Sequence, residues 1–204
     1  EEEKNMCPFS GIGLSERPDT VCGKIAEGRV AVLVDGTPGV LIVPYLFVEY
    51  FQTMDDYSNQ PYFATFTRWL KYLAFFIATL LPGIYVAVGT FNPEVFPEEL
   101  MNKIATAIAT TPFPLMLEAL VIHFIYEIMR EAGLRLPKPL GHAVSIVGAL
   151  VIGDTAISSG LIGATTLMVV ALTAISSYVI PSLYEPIAIL RLLFIIVGGV
   201  MGIW

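Results

Sequence analysis

Charged residues are scarce in this sequence. Only 14% of its 204 residues are Asp, Glu, Lys or Arg, where soluble domains carry about a quarter. The shortfall lies after residue 70, so the second part of the chain is not an ordinary water-soluble domain. Basic residues are scarcer than acidic ones, 11 against 18, giving a formal net charge of −7. That excludes nucleic acid as a partner, because phosphate binding needs a basic patch. Cysteine occurs twice, as Cys7 and Cys22. Two in this stretch make no disulfide framework, and both are expected as free thiols. No CxxC pair, HExxH, Walker loop or GxSxG is present, so nothing points to an enzyme. His123 beside Glu127 falls short of a metal site by count; no metal and no cofactor is expected. No secretory-signal pattern opens the chain. Its last residues, "IIVGGVMGIW", stop inside an apolar run, and the chain is expected to be a piece of something larger.

What the sequence has instead is apolar residues, 55% of the total. The fold class they imply is an α-helical membrane protein: a helix bundle with a small α/β soluble segment, a β-hairpin, at the N-terminus. Residues 1–60 are expected to hold the end of a soluble subdomain and a linker, and residues 61–204 the bundle. Residues up to about 23 are polar with Gly and Pro, and read as a loop. Val30–Val34 and Val40–Val43 are short β-branched runs on either side of Asp35-Gly36-Thr37-Pro38, which is strong turn chemistry. "EYFQTMDDYSNQPY" then breaks the apolar pattern and reads as an elbow near a membrane surface.

From Tyr72 to Phe91 there is no charge, with Arg68, Trp69 and Lys71 just before. This predicts a spanning helix near 70–91 with snorkelling and aromatic anchors, kinked at Pro82-Gly83. Residues 92–114 are acidic and proline-rich and predict a loop with a short helix near 98–109. A further helix is predicted over 113–131, an uncharged span over 161–180 and another over 187–204. In that last helix Arg191 should snorkel, and Gly198 and Gly202 make a weak GxxxG face. Positive charge before the first span and at residues 130–138 places both on the cytoplasmic side, with the acidic loop opposite.

The helix over 113–131 carries its own charges. At 100° per residue, His123, Glu127, Arg130 and Glu131 fall on one side, which reads as a polar face with i,i+4 pairing or as a pore vestibule. Val121, Ile122, Ile125 and Met129 fall on the other, together with Glu118. Glu118 is either a carboxyl near a helix N-terminus, favoured by the dipole, or a carboxylate facing a water-filled path, since ionisable groups at membrane depth are costly and functional by default. Gly133 reads as the helix stop.

Residues 140–153 form an uncharged run rich in Gly and Ala, too short to cross a bilayer comfortably, since that takes about 20 residues. Gly141, Ser145, Gly148 and Ile152 share a small face that allows close helix approach. A short uncharged helix, a polar turn and a long helix make a hairpin whose first arm is shielded from lipid. That arm is either an ordinary buried helix or the lining of a pore through the centre of an oligomer.

The stretches "EGRVAVLVDGTP", "FTRWLKYLAFFIATLLPGIYVA", "TPFPLMLEAL", "EIMREAGLRLPKPLGHAVSIVGALVIGDTAISSGLI" and "VVALTAISSYVIPS" resemble, in order, the A subunits of bacterial spore germinant receptors, the GerA family. The resemblance implies a cytoplasmic N-terminal domain of two subdomains, followed by membrane helices in the spore inner membrane. It also implies a transporter-like B subunit and a lipoprotein C subunit as partners, and self-assembly into rings, pentamers, that form a nutrient-gated ion channel. Glu118, Glu127, Arg130, Glu131, Gly133, Pro137, Gly141 and Gly148 stand at positions matching the family pattern. His142, Asp154 and the stretch "SLYEPIAILRLLF" depart from it.

Two functions follow as expectations. In the first, the chain is a channel subunit whose arm lines the pore through Ser145, Gly148, Val151 and Ile152, with Asp154 as a mouth charge favouring cations. In the second, it is a non-conducting structural subunit that relays a partner's signal. A secondary transporter ranks below both, because it would show a repeated pair of broken helices in two halves and none is visible.

Overall fold

The computed structural model describes residues 9–53, 56, 60–135, 151 and 153–202. The chain divides into two compact units. One runs through Phe75 and takes in Val179–Pro186; the other holds Phe76–Tyr178 and the residues from Ile187 onward.

The first unit is built on a three-stranded antiparallel sheet of β1 (Gly13–Ser15), β2 (Val30–Leu33) and β3 (Val40–Val43), in the order β1-β3-β2. The expected hairpin is β2–β3, with Val32 opposite Leu41 and Val30 opposite Val43. Gly36 supplies the positive φ of +83° that the connecting turn needs. The residues read as a loop instead form β1, with Leu14 opposite Leu41, and α1 (Pro18–Ala26). Pro18 at the first helical position, Asp19 in the first turn and Lys24 in the last are favourable helix-end chemistry. Gly28 at φ +89° ends the helix, as Arg29 N–H reaches Lys24 O at 3.0 Å. α1 packs across the sheet, and Ile42 and Val21 are buried. The opposite sheet face is apolar and open: Leu14 is 71% exposed, and Val30, Val32 and Val43 are exposed beside it.

Next to the sheet, Lys24 Nζ contacts Glu49 Oε1 at 3.1 Å and Glu27 Oε2 at 3.0 Å, and Arg29 Nη2 contacts Glu49 Oε1 at 3.0 Å. The other Glu49 oxygen accepts the Leu46 N–H at 2.8 Å, closing a single 3-10 turn at Phe47–Phe51. Phe51 stacks on Tyr72 with centroids 4.4 Å apart. Lys71 Nζ bonds Asp56 Oδ2 at 3.0 Å. Lys71, read as snorkelling into a membrane surface, is thus tied to the elbow by a carboxylate of its own chain.

α2 (Pro61–Phe91) has 31 residues. At 1.5 Å per residue that is about 46 Å, longer than the roughly 30 Å hydrocarbon core. The second unit contains the rest of α2, α3 (Glu98–Thr110), α4 (Leu115–Arg135), α5 (Ala164–Tyr178) and most of α6 (Tyr184–Met201). α3 and α4 meet at 81°. α4 continues through Gly133 to Arg135, two residues past its expected stop; a single glycine inside a helix costs only about 1 kcal/mol. α2 and the stretch Pro181–Met201 are each long and apolar enough to cross a membrane, and α3 with α4 adds a third if the bent pair counts as one span. α5, expected as a full span over 161–180, has 15 residues, about 22 Å. Tyr85, Val86, Ile104, Leu115, Ala119 and Ile195 form the core of this unit.

α2 and α6 approach through glycine. A Cβ on Gly198 would lie 2.5 Å from Gly83 O, and one on Gly83 would lie 2.7 Å from Phe194 O. Of the expected Gly198/Gly202 face, Gly198 makes this contact, whereas Gly202 ends α6 at φ +72°.

Candidate functional site

α4 positions the chemistry. Leu115, Glu118, Ala119, Ile122 and His123 are buried, while Leu117, Val121, Phe124 and Ile128 are exposed. The buried residues recur every three or four positions, as one helical face does. The expected division of α4 set Glu118 with Val121 and Ile122, and read His123 as part of a polar face or a pore vestibule. The buried stripe includes both Glu118 and His123 and leaves Val121 outside. Most of α4 is apolar, so apolarity alone does not select a face. Polar side chains need partners, which only the protein interior supplies where lipid is the alternative.

Glu118 is 2% exposed, and its Oε1 accepts the Gly163 N–H at 2.7 Å. Gly163 immediately precedes α5, and Glu118 itself stands in the first turn of α4. The carboxylate therefore serves the N-termini of two helices, where unpaired N–H groups and the dipole favour negative charge. It also lines a cavity of about 380 Å³ whose other walls include Phe113, Val121, Ile125, Val151 and Ile162.

One turn further, His123 Nδ1 lies 2.8 Å from Ala119 O, and Nε2 lies 3.4 Å from Thr173 Oγ1 on α5. Thr173 donates its proton to Val170 O at 2.7 Å. Tyr85 OH on α2 meets Thr165 and Thr166 Oγ1 at 3.0 and 3.2 Å. Glu127 is paired with Arg191 of α6, whose side chain is 0% exposed. The Arg191 guanidinium carbon lies 5.5 Å from the centroid of the Tyr126 ring, within cation–π range. Arg191 Nε and Nη1 have no hydrogen-bond partner among the described residues. Arg191, expected to snorkel, is instead held in the interior, because Glu127 offers it a nearer countercharge.

Arg130 Nη1 is 4.0 Å from Glu127 Oε2. Glu131 is exposed and pairs with Arg135 at 2.7 Å. Val151 is 53% exposed, and Asp154 is exposed within the helical residues 153–158. Ser145, Gly148 and Ile152 lie outside the described residues. The structure thus brings Glu118 and Val151 to one cavity and Glu127 and Arg130 to one charge cluster, and leaves Glu131 outside both. Arg191, Tyr126 and Thr173 complete the arrangement and escaped sequence reasoning. A signal for Arg191 existed: a lone arginine inside an apolar helix calls for an acidic partner on another, and Glu127 is such a residue.

The family described as Bacillus/Clostridium GerA spore germination protein matches residues 1–204. The chain is 45% identical over 205 residues to Spore germination protein KA of Bacillus subtilis (strain 168), which covers 100% of this chain and 38% of that protein. It is 40% identical to Uncharacterized membrane protein YfkQ of the same organism, covering 100% of this chain and 40% of that protein. With Spore germination protein GerLA of Bacillus cereus the identity is 36%, over 100% of this chain and 42% of that protein. The chain spans about two fifths of the length of these relatives. No solved structure matches.

Proposed function

The chain belongs to the GerA family of spore germination proteins, and from that membership we propose that it is the membrane part of a germinant-receptor subunit that assembles into rings and passes ions when a nutrient is sensed. In this reading the subunit lies in the spore inner membrane with its soluble segment in the cytoplasm, and works beside a transporter-like B subunit and a lipoprotein C subunit. It has no catalytic role. The observation that carries the reading is the row of ionisable side chains within an apolar helix bundle, with Glu118, His123 and Arg191 buried and Glu127 partly buried against Arg191, because such groups at membrane depth are costly and functional by default. The exposed Val151 and Asp154 are the described positions of the proposed pore lining, with Ser145, Gly148 and Ile152 as its other members.

The test is nutrient-evoked ion flux through the full-length receptor in lipid vesicles. Val151→Ala and Gly148→Leu should alter that flux in opposite senses, the first widening the path and the second narrowing it. Unchanged flux in both removes the pore assignment. The second reading, a non-conducting subunit that relays a signal, draws support from the internal pairing of Glu127 with Arg191: a paired charge holds helices together without facing water. In that case Glu127→Gln alters germination while reconstituted receptors of either sequence pass no current.

A further inference from the structure

The first turns of α2 have an occupied face and an open one. On the occupied face Ala64 is buried, Tyr72 stacks on Phe51, and Lys71 pairs with Asp56. The open face carries Tyr62, Phe63, Phe66, Trp69, Leu70 and Leu73, with Tyr62 90% exposed and Trp69 72%. Tyr62, Phe66, Trp69 and Leu73 follow one another at steps of four, three and four. That is the heptad spacing that keeps one seam of a helix turned toward a second helix. Phe63 and Leu70 flank the seam and carry no charge into it.

Area and depth together select the occupant. An aromatic side chain offers about 150–250 Å², so at these exposures the four rings alone leave on the order of 500 Å² uncovered. With Leu70 and Leu73 the face approaches the roughly 800 Å² per partner of a stable protein interface. Lipid covers only part of it. The uncharged run Tyr72–Phe91 is about 30 Å long as a helix and fills a hydrocarbon core by itself, and the polar layer adds about 5–7 Å on each side. Trp69 and Leu73 lie within that reach, whereas Tyr62 stands about 15 Å before the run begins.

We propose that this seam is a self-association site, occupied by the same stretch of α2 from a second copy of the chain, packed side by side and parallel. Copies inserted the same way in one membrane run α2 in the same direction, so each seam meets its own pattern in register. A heptad seam serves two or more helices alike, so the site fixes no ring size. The inference rests on the reading that copies of the chain assemble, and it names the surface through which they meet.

The test is disulfide trapping in the full-length protein, freed of its native cysteines and held in lipid vesicles. Under mild oxidation Tyr62→Cys, Phe66→Cys and Trp69→Cys should each link two chains at least about fivefold more than Thr67→Cys, which lies off the seam, because a disulfide closes only when the two Cα atoms come within about 7 Å. Phe66→Glu sets like charges across the seam and should lower the oligomer mass in detergent. Phe66 is exposed in the single chain, so helical content by circular dichroism should stay unchanged. Oligomers that persist while the seam positions link no more than Thr67→Cys, or a mass unaltered by Phe66→Glu, would overturn the seam and leave assembly standing. A chain that is monomeric in every condition would overturn both.

Discussion

Glu127 and Arg191 stand 64 positions apart in sequence and meet as an ion pair inside the second unit. The two ends differ in their surroundings. The arginine is 0% exposed, whereas the glutamate is 21% exposed and has Arg130 as a second neighbour. Removing either end therefore has unequal consequences.

Glu127→Ala leaves a buried guanidinium without its countercharge, which costs about 3–5 kcal/mol by analogy with other buried pairs. Arg191→Met leaves a carboxylate that still faces Arg130 and some solvent, and should cost clearly less. Thermal unfolding of the purified protein in one detergent, followed by circular dichroism, ranks the two. A larger loss for Arg191→Met would contradict the asymmetry.

The glycine contact between α2 and α6 makes a steric prediction. In Gly198→Ala the new Cβ meets the Gly83 carbonyl at 2.5 Å, so the helices must separate, at about 1–3 kcal/mol. Gly153→Ala is the control, because its Cβ would lie 3.2 Å from the end of the flexible Leu167 side chain. The melting temperature should fall further for the first than for the second.

The hydroxyl of Tyr85 can be weighed by a double-mutant cycle with Thr166. Tyr85→Phe and Thr166→Val should each destabilise. Their coupling energy should be about 0.5–1.5 kcal/mol, that of one net hydrogen bond, and smaller to the extent that Thr165 at 3.0 Å takes over.

The ion cluster beside the three-stranded sheet should give a stability plateau bounded on both sides. Burial pushes Glu49 up, but the Leu46 N–H, Lys24 and Arg29 outweigh it and hold the carboxyl below its ordinary 4.5. Its contribution is therefore complete above pH 4.5 and is lost as pH falls through the lower folded value. Burial pushes Lys24 down, but the hydrogen bonds it donates to Glu27 and Glu49 outweigh it and raise the amine above 10.5. That contribution is complete below pH 10.5 and is lost as pH rises through the folded value. Amide hydrogen exchange of Ile42 against pH should show both limbs, and Glu49→Gln should remove the acid limb.

The elements with strong periodicity or unambiguous punctuation were legible in the sequence. The β2–β3 hairpin, the helix at Glu98–Thr110 and the long apolar α2 follow from turn chemistry, acidic helix starts and uncharged length. β1 was not, because three residues carry no usable period and its pairing with β3 is long-range. α1 was legible in principle, through Pro18 and Gly28, but its polar surface concealed it. In the candidate site, Glu118 and Glu127 stood out as charges among apolar neighbours. Their partners did not, because Gly163 acts through its backbone and Arg191 lies on a helix that sequence spacing cannot register against α4. Composition also left the inward face of α4 open, since both Glu118 and His123 turn in and hydrogen bonding, not oiliness alone, decides which side does so.

The glycine joint between α2 and α6 has a thermal consequence. Where lipid is the surrounding medium, expelling water contributes nothing to helix association, and close atomic contact takes over. Contact of that kind does not fade in the cold, whereas sequestering oil from water weakens on cooling. Chilling should therefore loosen the little sheet with its Ile42 core while the Gly83–Gly198 crossing holds its grip, so that the chain's two halves age differently at low temperature.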